Sequence, residues 1–215
     1  MHDVFGLKFL KQYKLDMRFT DINVTQDIHI GDYYSKKIPL TVHRFQIPRM
    51  YMPFGVSGFV PEIGPTKYNV DFSMKGWNDD GNYVNEFYKF VKSIEDRVIK
   101  TVFDNSVEIF GTQLNTVQLN NMFKSNIKET SDREPKFRIK IDDNTRVFDA
   151  NNEDVTCELS NGLYQKHSGV GMVEFGGVYF LNRMFGITWK MCQMKIFEPQ
   201  RLKGFQFQLE ESDDY

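Results

Sequence analysis

Lysine, arginine and aromatic residues recur together along this chain, often two residues apart. In Lys136-Phe137-Arg138-Ile139-Lys140-Ile141 the alternation is strict. Drawn out as a strand, it puts Phe137, Ile139 and Ile141 on one face and Lys136, Arg138 and Lys140 on the other. Arg44-Phe45 and Arg49-Met50-Tyr51 repeat the mixture, as do Tyr179, Phe180, Arg183, Phe185, Trp189, Lys190 and Lys195. Cations neutralise phosphates and release their counterions. Flat rings stack on unpaired bases, at ~1–3 kcal/mol per base. Together they are what a groove for a single nucleic-acid strand requires. The phosphate candidates are Arg44, Arg49, Lys67, Lys75, Lys136, Arg138, Lys140, Arg183, Lys190 and Lys195. The stacking candidates are Tyr51, Phe54, Tyr68, Trp77, Tyr179, Phe185 and Trp189. Phe87, Phe90, Phe137 and Phe175 read as core, as do Met50, Met52, Met172, Met184, Met191 and Met194.

Charge is segregated along the chain although the net value is only −2. From Tyr33 to Lys75 six bases face two acids, and from Gly176 to Gln208 five bases face one. Between them, Gly76 to Glu134 carries seven bases and ten acids. The last residues, Glu210-Glu211-Ser212-Asp213-Asp214-Tyr215, hold four carboxylates and a terminal ring. Such a tail can compete with a strand for a basic groove, serve as a handle for replication proteins, or simply keep the protein in solution. The expected division is one nucleic-acid-binding domain over 1–208 and a regulatory tail over 209–215, with Glu210, Glu211, Asp213, Asp214 and Tyr215 as its working residues.

Catalytic and metal chemistry find no constellation. The four histidines are dispersed, and Cys157 and Cys192 stand alone, without CxxC or Cys/His spacing. Both thiols are expected to be small buried groups in a reducing compartment. No phosphate-cradling glycine loop or nucleophile elbow occurs. Asp142-Asp143 offers paired carboxylates to a metal-dependent nuclease, but beside Asn144 the pair reads as a turn. No enzyme activity, cofactor or metal is expected. The first residues lack the pattern of a signal peptide and no apolar run reaches membrane-spanning length, so a soluble protein that is not secreted is expected.

The elements that must position these residues are mostly strands. Asp21–Thr25 and Lys37–Val42 alternate, as does Lys67–Met74. Between Tyr83 and Phe103 the period changes: Val84, Phe87, Phe90, Val91, Ile94, Val98, Ile99 and Val102 predict a long amphipathic helix, with Asp79, Asp80 and Asn82 as candidate N-caps. Asn115 or Thr116 starts a shorter helix through Leu119, Met122 and Phe123, and Lys128 to Glu134 reads as a charged loop. Strands return from Lys136 to Asp142, at Arg146–Phe148 and from Gly169 to Phe197, where Gly176-Gly177 and Asn182-Arg183 read as hairpin turns. Strands, then one or two helices, then strands again make the fold α+β or a β-barrel with an inserted helical segment.

Two segments carry a family likeness. Tyr51-Met52-Pro53-Phe54-Gly55-Val56-Ser57, followed by Lys67-Tyr68, resembles the N-terminal signature of the single-stranded DNA-binding proteins of nucleocytoplasmic large DNA viruses, the African swine fever virus, algal and amoebal virus type. Phe185-Gly186-Ile187-Thr188-Trp189-Lys190-Met191-Cys192-Gln193-Met194-Lys195-Ile196 resembles its C-terminal signature, with Phe137–Ile141 and Val147-Phe148 as the strand pair between. The likeness runs from about Arg49 to Phe197, leaving the first forty residues outside it. It implies a fold of the α+β class, mainly β, an OB-like β-barrel with an inserted long amphipathic helix and extra N-terminal strands, in a protein that binds and protects single-stranded DNA in viral replication, recombination or repair, in the host cytoplasm (a viral factory) or nucleus. It points to Tyr51, Phe54, Tyr68, Trp189, Lys190 and Lys195 as site positions. The acidic end is separately similar in design to the tails of phage single-stranded DNA-binding proteins. RNA as an alternative strand, and self-association, stay open. The rival is a scaffold or virion component whose aromatic surface binds protein.

Overall fold

A computed structural model of the protein describes residues 4–5, 44–181 and 183–199. The expected strands at 21–25 and 37–42 and the acidic tail lie outside these residues. The described elements run β1 (Val4–Phe5), β2 (Arg44–Gln46), β3 (Met50–Tyr51), β4 (Val56–Phe59), β5 (Lys67–Ser73), helices α1 (Tyr83–Asp104), α2 (Ser106–Phe110) and α3 (Thr116–Met122), then β6 (Phe123–Lys124), β7 (Ile127–Thr130), β8 (Arg133–Ile141), β9 (Arg146–Phe148), β10 (Ser168–Leu181) and β11 (Met184–Phe197).

Five of these strands close a ring. β3 pairs with β5, β5 with β8, β8 with β11, β11 with β10, and β10 returns to β3. All contacts in the ring are antiparallel except β8–β11. This is the five-stranded Greek-key barrel of the OB architecture, and the class is a mixed α+β fold with extra strands and an inserted helix. β4 adds to β5, β7 to β8, β9 to β11, and β1 and β2 extend from β10.

Closure dictates the alternation seen in the sequence, because neighbouring residues on a barrel strand point in and out. On β8, Phe137, Ile139 and Ile141 are buried, while Arg138 and Lys140 are exposed. Phe72 and Val70 of β5 meet Phe137 and Ile139 in register. α1 covers the core with Val84, Phe87, Val91, Ile94, Val98 and Val102, each worth roughly 1.5–3 kcal/mol on full burial. Phe87 packs edge-on to Phe137 at 5.1 Å and Phe90 to Phe45 at 5.2 Å. The Asn82 side chain caps α1 by accepting from Val84 N–H. Asn115 and Gln118 form a reciprocal capping box on α3.

Several expectations are corrected. Lys128 to Glu134 is not a loop but the two sides of a hairpin, β7 and the start of β8. Gly176-Gly177 does not turn the chain. It sits inside β10, where the pairing with β11 slips between Phe175 and Val178. The turn is the one at Arg183, a residue with φ 61°. α2 is an element that periodicity over five residues could not announce. Cys157 is exposed and Cys192 half-buried, so neither is the core thiol expected. Met50, Met52, Met191 and Met194 are core, but Met184 is exposed and Met172 half-buried.

Gly55 shows why the Tyr51–Ser57 segment has its composition. Its φ is +65°, and a Cβ there would stand 2.2 Å from the Leu163 carbonyl oxygen. Val56 N–H donates to that same carbonyl at 2.8 Å. Gly55→Ala therefore strains the backbone and pushes on the main chain, and is expected to destabilise by ~2 kcal/mol or more. Chemical denaturation measures this; an unchanged midpoint would contradict the packing described.

Candidate nucleic-acid interface

The outward residues of β5 and β8 build a basic surface, with Lys67 on β5 and Lys136, Arg138 and Lys140 on β8. Cross-strand register sets Ser73 beside Lys136, Asp71 beside Arg138 and Asn69 beside Lys140. On the far side of β8 the wall changes partner. β7 pairs with its first half and β11 meets it only at Lys140 and Lys190. β6 pairs instead with the start of β11. The turn from β6 to β7 thus fills the opening between β8 and β11. Here lies a groove of about 380 Å³ whose lining includes Lys67, Lys124, Lys128, Arg138, Lys140 and Tyr179.

Five cations converge in this groove, and among the described residues only Arg138 has a carboxylate within ion-pair distance. Asp71 takes it in a two-pronged contact of 2.7 and 2.8 Å, which raises the guanidinium pKa. Burial, then the Arg138 charge, pushes the Lys128 ammonium below the ordinary lysine value. Tyr179 stands at the groove edge, 39 % exposed, facing Gly186 across the β10–β11 ladder. A Cβ on Gly186 would fall 2.8 Å from the Tyr179 hydroxyl oxygen and 2.8 Å from the Lys124 carbonyl oxygen, so the glycine lets ring and turn close up.

The next surface around the barrel, lined by Arg44, Arg146, Glu174, Lys190 and Cys192, also has three cations. Each has its acid: Arg44 with Glu174 at 2.9 Å, Lys190 with Asp142 at 3.1 Å, and Arg146 with Asp154. The Asp154 carboxyl is drawn down to about 2, first by the Thr156 hydroxyl, then by its N–H, then by Arg146. Asp142 also accepts from Asn144 N–H, so Asp142-Asp143 is the turn the sequence suggested. Among the described residues no group of His, Cys, Asp and Glu is placed to hold a metal ion.

The remaining candidates fall into three settings. Arg49, Tyr51 and Lys75 share a shallow depression with Ser73 and Glu134, and Tyr51 is directly opposite Ser73. Nearby, Lys136 lies 4.9 Å over the half-open ring of Phe54. This patch continues the β5–β8 face. Lys195 belongs elsewhere, bound to Asn152 Oδ1 at 2.6 Å, and Arg183 is exposed in the β10–β11 turn. Phe185 and Trp189 differ from the exposed stacking rings expected: at 0 % and 1 % exposure they fill the barrel, with Trp189 among Phe45, Phe137 and Phe175 and beneath the groove whose lining it joins. Trp77 packs on Tyr88 at 4.9 Å, and Tyr68 is half-buried across Gly58. Lys124 and Lys128 were missed because the long segment around them is acidic in sum; the short run Lys124-Ser125-Asn126-Ile127-Lys128 has two bases and no acid, and that was the available signal.

The fold and this surface define a class, an α+β protein on an OB barrel with a basic outer face. Within it, the chain belongs to a family of unknown function, DUF5871, whose model matches residues 79–208. Among curated proteins nothing matches. In shape it is similar to gp2.5, a single-stranded DNA binding protein encoded by bacteriophage T7, with 10% identity, a TM-score of 0.49, and coverage of 77% of this chain and 92% of that one. It is also similar to the single-stranded DNA-binding protein of bacteriophage Enc34 in complex with ssDNA (10% identity, TM-score 0.39, 76% and 89% covered) and without it (11%, 0.38, 79% and 88%). These are likenesses of outline, and no residue role is transferred from them.

Lys128 is expected to lose its proton below the range of a free lysine, as side-chain NMR titration would show. The unfolded chain binds the extra proton between the folded and the ordinary value, so stability rises with pH across that window. A Lys128 that titrates like a free lysine would contradict the burial described.

Proposed function

We propose that this chain binds single-stranded DNA, with little sequence preference, along the outer face of β3, β5 and β8 and the groove beside it. The observation that carries this reading is the charge imbalance: among the described residues, five cations line one groove and only Arg138 has a carboxylate within ion-pair distance, whereas the neighbouring surface is neutralised pair by pair. Phosphates would be held by Lys67, Lys124, Lys128, Lys136 and Lys140, with Lys75 and Arg49 extending the track. Tyr179, Tyr51 and Phe54 would offer rings to bases. The protein would act without catalysis, protecting strands in viral DNA replication, recombination or repair, in the host cytoplasm or nucleus. The viral family resemblance of the Tyr51–Ser57 and Phe185–Ile196 segments supports that setting. Residues 209–215 would form a tail apart from the 1–208 domain, with Glu210, Glu211, Asp213, Asp214 and Tyr215 competing for the groove or recruiting replication proteins.

Fluorescence anisotropy with a labelled oligo-dT across a salt series tests the reading. Each of Lys67→Ala, Lys128→Ala and Lys140→Ala is expected to flatten the dependence of log K on log salt by ~0.7. Arg44→Ala and Arg146→Ala should leave it unchanged. Equal effects on both surfaces, or none, would overturn the assignment.

A second reading has its own support. The β4–β5 hairpin tip exposes Phe59 at 63 %, Val60 at 74 % and Ile63 at 92 %. An apolar projection of this kind also suits a protein-binding scaffold. Binding to that kind of partner would vary little with salt, in contrast to strand binding.

A further inference from the structure

The groove lysines missed by the sequence sit on a very short support. β6 has two residues and β7 four, and the turn between them carries Lys124, Ser125, Asn126 and Lys128 into the groove. Elements this small do not hold a position by their own ladders. What holds the turn comes from the helix. Glu95 of α1 is 2 % exposed. Its carboxylate oxygens accept the Ser125 hydroxyl at 2.8 and 2.9 Å, and one of them accepts Asn126 N–H at 3.1 Å. The Ser125 hydroxyl oxygen in turn accepts Ile127 N–H at 2.9 Å. The Ser125 carbonyl accepts the Lys128 ammonium at 2.6 Å. Asn126 closes the other side, accepting Arg138 N–H at 2.9 Å and donating from Nδ2 to the Arg138 carbonyl at 3.2 Å.

We infer that Glu95 is a positioning residue for the groove: through Ser125 and Asn126 it fixes the turn that presents Lys124 and Lys128 to a phosphate backbone. This rests on the strand-binding reading above. Two further facts agree with it. Glu95 itself does not line the groove. Its pKa is raised by burial, against the opposing pull of Ser125, Asn126 and Lys92, so as a charge it costs the fold more than it returns. The carboxylate serves the turn: one oxygen, Oε1, accepts both the Ser125 hydroxyl and Asn126 N–H. Lys92, with Nζ 3.8 Å from Glu95, Asp96 on the same helix and Lys128 of the turn are the other charges beside it.

The test compares Glu95→Leu, Glu95→Gln and Ser125→Ala with the wild-type protein, using two readouts. Amide hydrogen exchange, measured without DNA, is expected to quicken at Asn126, Ile127 and Lys128 in Glu95→Leu and Ser125→Ala while β5 and β10 stay protected. Oligo-dT titration over a salt series is expected to lose about 1.4 from its slope in the same two proteins, the share of two phosphate contacts. Glu95→Gln keeps an acceptor oxygen and is expected to retain wild-type values in both. Should Glu95→Leu fail to fold, Ser125→Ala carries the comparison from the other side of the contact. An unchanged exchange rate at the turn overturns the positioning role, as does an unchanged slope in a protein whose turn has loosened. If the wild-type protein binds no strand, the strand-binding reading fails and the exchange data still decide whether Glu95 holds the turn.

Discussion

Closure of the barrel is the constraint on which the rest depends, and it hangs on two small contacts. The β10–β11 hairpin, fourteen residues in each arm, is the longest pairing among the described residues. It joins the β3–β5–β8 meander through Ser168 with Tyr51 and Gly169 with Met50 on one side, and through Lys190 with Lys140 on the other. Once the ring is closed there is a single inside, and every strand residue is committed to it or to solvent. Trp189 goes in and Lys190 out; Phe137 goes in and Arg138 out. The same closure explains the groove. A single residue pair between β8 and β11 leaves their ladder open along the rest of its length, and the β6–β7 turn enters that opening and lines it with lysines.

Charge is then distributed by register. At one level around the barrel, Arg44, Glu174, Lys190, Lys140 and Asn69 follow one another on β2, β10, β11, β8 and β5. The acids occur on one stretch of this belt. Glu174 and Asp142 answer Arg44 and Lys190, and beyond Lys140 the one ion-paired acid of β5 and β8 among the described residues is Asp71, held by Arg138. A polyanion approaching this surface meets compensated charge on one side and uncompensated charge on the other. In counterion terms only the second side has a large favourable exchange to offer.

Much of this was legible in the sequence because it rests on period. The two-residue alternation from Lys136 to Ile141 reads directly as a barrel strand, and the spacing from Val84 to Val102 as α1. What was not legible depended on tertiary placement. Trp189 and Phe185 stand among cations in sequence and look like surface rings, yet strand parity sends them inward. Gly176-Gly177 has turn composition but lies mid-strand, because a bulge and a turn use the same residues. Lys124 and Lys128 belong to a segment whose total charge is negative, and only the fold separates them from their acidic neighbours. Arg44 and Lys190 looked free in sequence, and only the structure shows the carboxylates that hold them.

A strand is expected to lie in the groove of unpaired lysines rather than on the neutralised surface beside it. The most direct measurement is an NMR titration of the isotopically labelled protein with a short oligo-dT, mapping which amides and lysine side chains shift. Perturbations are expected at Lys67, Asn69, Lys124 to Lys128, Arg138, Lys140 and Tyr179, with little change at Arg44, Arg146 and Glu174. Shifts concentrated on the second group, or none on either, would contradict it.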